Sequence, residues 1–294
     1  MLELTNITHR YPGAETPALQ GIDLQLQAGQ CLGLLGSNGA GKTTLLSLLA
    51  GVLPLQQGEI RWDGERSLGL VPQQLAFYAE LKVRENLELF ADLYRLRGAE
   101  RARRLELCIA STSLESKLQR RAGRLSGGEQ RRLNFAIGLL QPARLYLFDE
   151  ATVGVDASSR QRLLDAVEQL TAEGHAVIYT SHYLDEVERV AQRILLLHQG
   201  HVRLDLDSRQ LLGDDHGLLL EWQGEEPAGL RELLGKLHLN AEALPRGLRI
   251  ASLNGPQLLE ITRFLAERPE LPHLLRFGRP SLEQLYLRVN GGRL

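Results

Sequence analysis

The sequence predicts an α/β fold, with a mostly parallel sheet covered by helices and a second, smaller α/β domain behind it. Three observations carry that expectation. Gly36 to Thr44 reads Gly-Ser-Asn-Gly-Ala-Gly-Lys-Thr-Thr, and Gly36, Gly41, Lys42 and Thr43 fit the phosphate-loop pattern G-x-x-x-x-G-K-[ST]. The apolar run Cys31–Leu35 precedes this loop and a helical pattern, Thr44–Leu53, follows it. Downstream, helical segments alternate with the apolar strands Arg144–Phe148, Ala176–Thr180 and Ile194–Leu197, as when crossover helices cover both faces of a parallel sheet.

Leu2 and Leu4 alternate with Glu3 and Thr5 as in a half-buried strand, and Tyr11-Pro12-Gly13 makes a turn. Ile22, Leu24 and Leu26 alternate again before the chain enters the run at Cys31. After the phosphate loop, Leu45, Leu46, Leu48, Leu49 and Val52 supply the apolar positions of a helix. Gly58–Trp62 and Arg66–Val71 read as further strands, so a small antiparallel sheet is expected beside the parallel core. From Val83 to Leu96 the period becomes helical, with Leu87, Phe90 and Tyr94 on one face and Leu89, Leu93 and Leu96 widening it. Leu105, Cys108, Ile109 and Leu114 space a second helix within Arg101–Gln119, which makes an α-helical insert of about residues 74–123. Arg131–Leu140, Ser158–Thr171 and Leu184–Val190 read as the remaining helices of the first domain. Gly213 to Gly217 marks the boundary between a domain at 1–212 and one at 213–294. In the latter, strands are expected at Leu218–Trp222, Leu248–Ala251 and His273–Phe277, and helices at Gly229–Leu237, Gln257–Arg268 and Leu282–Val289.

The totals narrow the function classes. With 34 basic and 36 acidic residues the net charge is −2, so no global field points to a nucleic-acid partner, and none is expected. Cys31 and Cys108 make no disulfide framework, and Cys31 reads as a small core residue. No apolar run approaches the roughly 20 residues of a membrane span. Met1 to Thr5 lacks the basic and apolar regions of a secretory signal, so a soluble, unexported protein is expected.

The chemistry starts at the phosphate loop. A backbone that wraps a phosphate must turn tightly and point successive N–H groups inward, which glycine permits. Lys42 adds a cation for the β- and γ-phosphates, Thr43 a hydroxyl for Mg²⁺, and the following helix presents its N-terminus to the anion. The apolar strand ending at Asp149 and Glu150 reads as the second half of an ATP site, with Asp149 holding Mg²⁺ and Glu150 polarising the attacking water. Ser126-Gly127-Gly128 caps the next helix and offers N–H groups to an anion.

Joined to the phosphate loop, the stretch Leu125-Ser-Gly-Gly-Glu-Gln-Arg-Arg132 resembles the signature sequence of the ATP-binding cassette (ABC) ATPases. The resemblance covers about residues 1–212 and implies a P-loop NTPase fold. By themselves Tyr11 is a turn aromatic, Gln73 a solvated loop residue, Asp156 a helix N-cap and His182 a structural histidine. The resemblance gives each a role. Tyr11 stacks on adenine, and Gly36, Ser37, Asn38, Gly39, Ala40, Gly41, Lys42, Thr43 and Thr44 cradle the phosphates. Gln73 reaches Mg²⁺ and the attacking water, His182 the γ-phosphate, and Asp156 contacts a partner protomer. The metal ligands it implies are Thr43, Gln73 and Asp149, and the catalytic residues Glu150, His182 and Gln73. Two departures stand out: Ala151 follows the glutamate where proline is usual, and Glu129 replaces a commoner glutamine.

The resemblance further implies an ATPase whose signature residues Ser126, Gly127 and Gly128 close over ATP held by a second copy or a sister ATPase. Separate transmembrane permease subunits are the implied partners, gripped by the insert at the cytoplasmic face of a bacterial inner membrane. The tail from Pro280 to Arg288 resembles that of exporter ATPases and favours export over import. A soluble cassette ATPase of the repair or ribosomal type is the alternative class. Residues 213–294 read as a dimerising or regulatory domain, or as a stabilising cap.

Overall fold

Strand patterning separates two kinds of sheet in the first part of the chain. Alternating strands β1 (Leu2–His9) and β2 (Leu19–Leu26) bury one face each, whereas β3 (Cys31–Leu35) is buried throughout. Helix α1 (Lys42–Ala50) leads from β3 to β4 (Gln57–Trp62), which pairs with β1, and to β5 (Leu68–Val71). The order β2-β1-β4 makes an antiparallel sheet. The computed structural model describes residues 2–207, 217–278 and 282. The chain divides into two units, Met1–Ser208 and Arg209–Leu294.

The helical stretch contains α2 (Val83–Leu93), α3 (Gly98–Thr112) and α4 (Gly127–Leu140). Then follow β6 (Leu145–Asp149), α5 (Ala157–Ala172), β7 (Ala176–Thr180), α6 (Leu184–Val190), β8 (Arg193–His198) and β9 (His201–Asp207). The large sheet runs β5-β6-β7-β3-β8-β9, parallel except for the β8–β9 hairpin. Its central strands are buried on both faces, which is why they read as unbroken apolar runs. Strands β5, β6, β7 and β3 are consecutive neighbours, so the loops leaving their carboxyl ends meet on one edge. Gln73, Glu150, His182 and the phosphate loop lie on those four loops, where open α/β sheets bind ligands.

Several local expectations change. Arg66–Val71 does not join the antiparallel sheet: β5 pairs in parallel with β6, Val71 opposite Phe148. That placement carries Gln73 to the edge of the core. Gly51 adopts the left-handed conformation and ends α1, which leaves Val52 outside the helix and 70% exposed. Leu93 is 59% exposed, and the inward face of α2 holds Val83, Asn86, Leu87 and Ala91 instead. α4 starts at Gly127, four residues before the expected Arg131, because Ser126 caps it.

The second unit has strands β10 (Gly217–Glu221), β11 (Ala241–Leu244), β12 (Gly247–Ile250) and β13 (Leu274–Gly278), with helices α7 (Leu230–Lys236) and α8 (Gly255–Ala266). The sheet is antiparallel, ordered β11-β12-β10-β13. Leu218, Leu220, Trp222, Leu234, Leu248 and Ile261 anchor its core. Asn254 and Gln257 cap α8 reciprocally. Strand β11 was not expected: Ala241–Leu244 is short and partly exposed, and only its pairing with β12 makes it a strand. The boundary at Gly213 to His216, the helix Leu282–Val289 and the tail Pro280–Arg288 fall on residues of which all but Leu282 lie outside the described ones.

Phe135 of α4 stacks on Phe148 of β6 with ring centroids 5.0 Å apart, both fully buried. Phe135→Ala is expected to cost about 3–5 kcal/mol. The measurement is urea unfolding followed by Trp62 in a Trp222→Phe background, since these are the two tryptophans and they sit in different units. An unchanged midpoint would remove this stack from the supports of the core.

Candidate active site

The phosphate loop is shaped by close backbone approach. Gly41 has φ +108° and an added Cβ would lie 2.5 Å from the Ala18 carbonyl, so only glycine fits there. Gly41 is also the N-cap of α1 and provides no side-chain cap, which leaves the first N–H groups of the helix for a ligand. Ser37, Asn38, Gly39 and Thr43 are exposed, Gly36 is half-buried, and Ala40 is buried beneath them. Lys42 Nζ donates to the carbonyls of Gly36 at 2.7 Å and Ser37 at 3.2 Å, so the ammonium spans the loop. Burial pushes its pKa below the usual lysine range, and the Glu150 and Asp149 carboxylates pull it back up. Thr44 is buried with its hydroxyl 3.2 Å from that of Tyr11. Tyr11 is 41% exposed, its ring edge-on to that of buried His9.

The register of the parallel sheet sets Asp149 opposite Thr180. Thr180 Oγ1 donates to Asp149 Oδ1 at 3.0 Å and accepts from the Glu150 N–H at 3.0 Å. Glu150 is buried and holds a left-handed φ of +50°, a conformation that costs a non-glycine residue about 1–3 kcal/mol. That turn aims its carboxylate into a cluster. Gln73 Nε2 donates to Oε2 at 2.8 Å, and His182 Nε2 lies 2.8 Å from Oε1. Three residues far apart in sequence thus meet at one carboxylate. Ala151, where the resemblance leads one to expect proline, is fully buried.

Gln73 is held from behind by α4. Arg131 donates to the Gln73 carbonyl at 2.6 Å, while Asn134 donates to Pro72 O at 3.0 Å and accepts from the Ala76 N–H at 2.8 Å. Burial lowers the pKa of Arg131, and nearby Glu150 and Asp149 oppose that shift. Arg131, Asn134 and Thr180 were not singled out from the sequence. Arg131 lies in the stretch already quoted, but only tertiary contact shows which backbone group each one holds.

A second patch forms where α4 begins. Ser126 Oγ accepts the Glu129 N–H at 3.3 Å, and Glu129 accepts the Ser126 N–H at 2.9 Å, a complete capping box. Glu129 also pairs with Lys117 at 2.8 Å. The Lys117 hydrogen bond, followed by that of Ser126, holds its carboxyl at about 2. The glutamate thus closes the cap and adds an ion pair. A Cβ on Gly128 would come within 2.9 Å of Gly154 O, so glycine lets the two loops touch, while Gly127 has open space. Asp156 caps α5, accepting from Ser159 N at 3.0 Å and Ser158 Oγ at 2.8 Å, which lowers its pKa. Ser126, Gly127, Gly128 and Asp156 take no part in the contacts that gather Gln73, Glu150 and His182.

Among the described residues no group of three or more His, Cys, Asp or Glu side chains is arranged to hold a metal ion. The available donors are hard oxygens: the exposed Thr43 hydroxyl, the Gln73 amide carbonyl and the Asp149 carboxylate steadied by Thr180. That set suits Mg²⁺ completed by phosphate and water better than a softer metal.

Comparison with known proteins matches residues 19–153 to the ABC transporter family. The chain is 33% identical over 316 residues to the linearmycin resistance ATP-binding protein LnrL of Bacillus subtilis, covering 100% of this chain and 99% of that one. It is 31% identical over 284 residues to the Nod factor export ATP-binding protein I of Burkholderia thailandensis, covering 93% and 92%. Among solved structures, a dimeric ATP-binding cassette in a post-hydrolysis state with ADP and Pi superposes with a TM-score of 0.65 at 25% identity. The match covers 71% of this chain and 99% of that one.

Proposed function

The chain belongs to the ABC transporter family as an ATP-binding subunit with ATPase activity, and from that premise we propose that it drives an exporter by nucleotide-dependent, head-to-tail pairing of two such subunits. The observation that carries this reading is the meeting of Gln73 and His182 on the carboxylate of Glu150, beside Asp149 and Lys42.

In this mechanism Tyr11 packs on the adenine, and the loop Gly36 to Thr44 wraps the phosphates with Lys42 between the β- and γ-groups. Thr43, Gln73 and Asp149 would hold Mg²⁺, which when bound neutralises charge on the β- and γ-phosphate oxygens. Water attacks the γ-phosphorus as the bond to ADP breaks, and Glu150 takes the water's proton. Gln73 orients that water, and His182 steadies Glu150 and the γ-phosphate. Ser126, Gly127 and Gly128 of a second copy cover the γ-phosphate, and Asp156 lies at that same junction. The phosphate is the contact that distinguishes closed from open, so hydrolysis releases the pair.

Export is supported by the functions in the relatives' names, resistance and Nod factor export. No helix among the described residues is long and apolar enough to cross a membrane, which agrees with permease subunits on separate chains. The chain would then work at the cytoplasmic face of the membrane, with residues 74–123 gripping the permease. In this reading residues 1–212 are the ATP-binding domain and 213–294 an accessory one. Light scattering with a non-hydrolysable ATP analogue tests the pairing. The mass of the wild-type chain should double with the analogue and not with ADP, and Ser126→Arg should stay monomeric. A wild-type chain that stays monomeric, or a Ser126→Arg chain that pairs equally well, would reject head-to-tail closure.

A further inference from the structure

Behind the Glu150 cluster lies a second buried carboxylate with no role so far. Glu186, in the first turn of α6, is 1% exposed. Its Oε2 accepts three hydroxyl hydrogen bonds: from Ser181 at 2.6 Å, Thr152 at 2.8 Å and Tyr179 at 2.9 Å. Its Oε1 faces the Arg160 guanidinium at 3.4 Å with no hydrogen bond of its own. Arg160 in turn lies over the Tyr183 ring, 4.4 Å from its centroid, and the Tyr183 N–H donates to Ser181 Oγ at 3.0 Å.

The positions of these donors matter more than their number. Thr152 stands two residues after Glu150, and Ser181 and Tyr183 flank His182. Tyr179 precedes Thr180, which holds both Asp149 and the Glu150 N–H. Arg160 lies on the first turn of α5, past the loop of Gly154 and Asp156. A buried charge is retained only when it is well hydrogen-bonded, and here its bonds all go to segments that carry the site.

We propose that Glu186 is a positioning residue, one buried carboxylate that fixes the loop after Glu150 and the loop bearing His182 against each other and so sets the His182–Glu150 contact. An amide of the same size keeps one acceptor but turns an NH₂ toward either the three hydroxyls or Arg160, so the tie loosens. The phosphate loop makes none of these bonds, so nucleotide affinity should not change. The inference rests on the roles proposed for Glu150 and His182.

The test is single-turnover hydrolysis of labelled ATP, which also reads slow residual rates, alongside nucleotide affinity. Glu186→Gln is expected to lower the hydrolysis rate about tenfold to a hundredfold, as small misplacements of catalytic groups do, with affinity unchanged. A purely structural role would give the same fractional loss in any background. A role exerted through His182 predicts that Glu186→Gln adds little once His182→Ala is present. Ser181→Ala and Thr152→Val each remove one donor, and should reproduce part of the loss if Glu186→Gln does not fold. A folded Glu186→Gln chain with wild-type rate, or one whose loss persists undiminished beside His182→Ala, would overturn the proposal. Glu150→Gln separates the two levels: if it still turns over, the site reading itself is wrong, whereas if it is inactive and Glu186→Gln is normal, only the positioning role fails.

Discussion

Glu150→Gln should abolish steady-state ATP turnover while leaving nucleotide binding intact. The substitution keeps the volume of a buried side chain and an acceptor for its neighbours, and glutamine adopts a left-handed φ no less readily than glutamate, so the +50° turn persists. What is lost is the group proposed to take the proton from water. General-base removal costs about 10²–10⁴ in rate, and among the described residues no other carboxylate has both the Gln73 amide and the His182 imidazole within 2.8 Å. Asp149 is a poor substitute because one of its oxygens is engaged by Thr180. The measurement is phosphate release beside equilibrium binding of an ATP analogue. Release at the wild-type rate would remove Glu150 from the role of base. In the proposed head-to-tail pairing, retained binding with lost release would also prolong the paired state, because the γ-phosphate taken to join the subunits stays in place.

Much of this arrangement was legible in the sequence because its signals are local. A buried parallel strand shows itself as an unbroken apolar run, and β3, β6 and β7 lie where such runs were read. Two glycines of the phosphate loop, Gly36 and Gly41, mark a backbone where an added Cβ would lie 2.5 Å from a carbonyl oxygen. What escaped depends on partners distant in the chain. Arg66–Val71 has the length and apolarity of a strand, but nothing within it states whether it pairs with β4 or crosses to β6. Val52 continues the helical period of α1, yet Gly51 takes a left-handed φ and the period has no meaning past it. β9 alternates polar and apolar residues and takes its place only by turning back on β8. Asp156 shows how two readings of one residue coexist. Its carboxylate caps α5 within the single chain, and the same position at the start of that helix is where a cross-subunit contact is proposed. Glu186 carried no signal at all, because a carboxylate near the start of a short helix reads as a solvated charge until three hydroxyls are seen converging on it.

Lys42→Ala is the complementary case, in which affinity rather than turnover should fall. Hydrogen bonds from a charged donor contribute about 1.5–3 kcal/mol each, which for one such bond to phosphate is an affinity loss of about tenfold to a hundredfold. Isothermal titration with ATP would read it directly. A second expectation concerns stability when no nucleotide is added. Lys42 is a buried cation steadied by the Gly36 and Ser37 carbonyls and by the field of Glu150 and Asp149. Removing the cation leaves the buried Glu150 and Asp149 carboxylates less compensated, so the unfolding midpoint without nucleotide should fall modestly. Ligand stabilisation scales with the logarithm of ligand concentration over its dissociation constant, so the upward shift that ATP gives the wild-type chain should shrink in the variant. A Lys42→Ala chain that is destabilised without nucleotide yet shows the full ATP-induced shift would make Lys42 a structural residue, and the phosphates would then have to be held by the N–H groups of the loop alone.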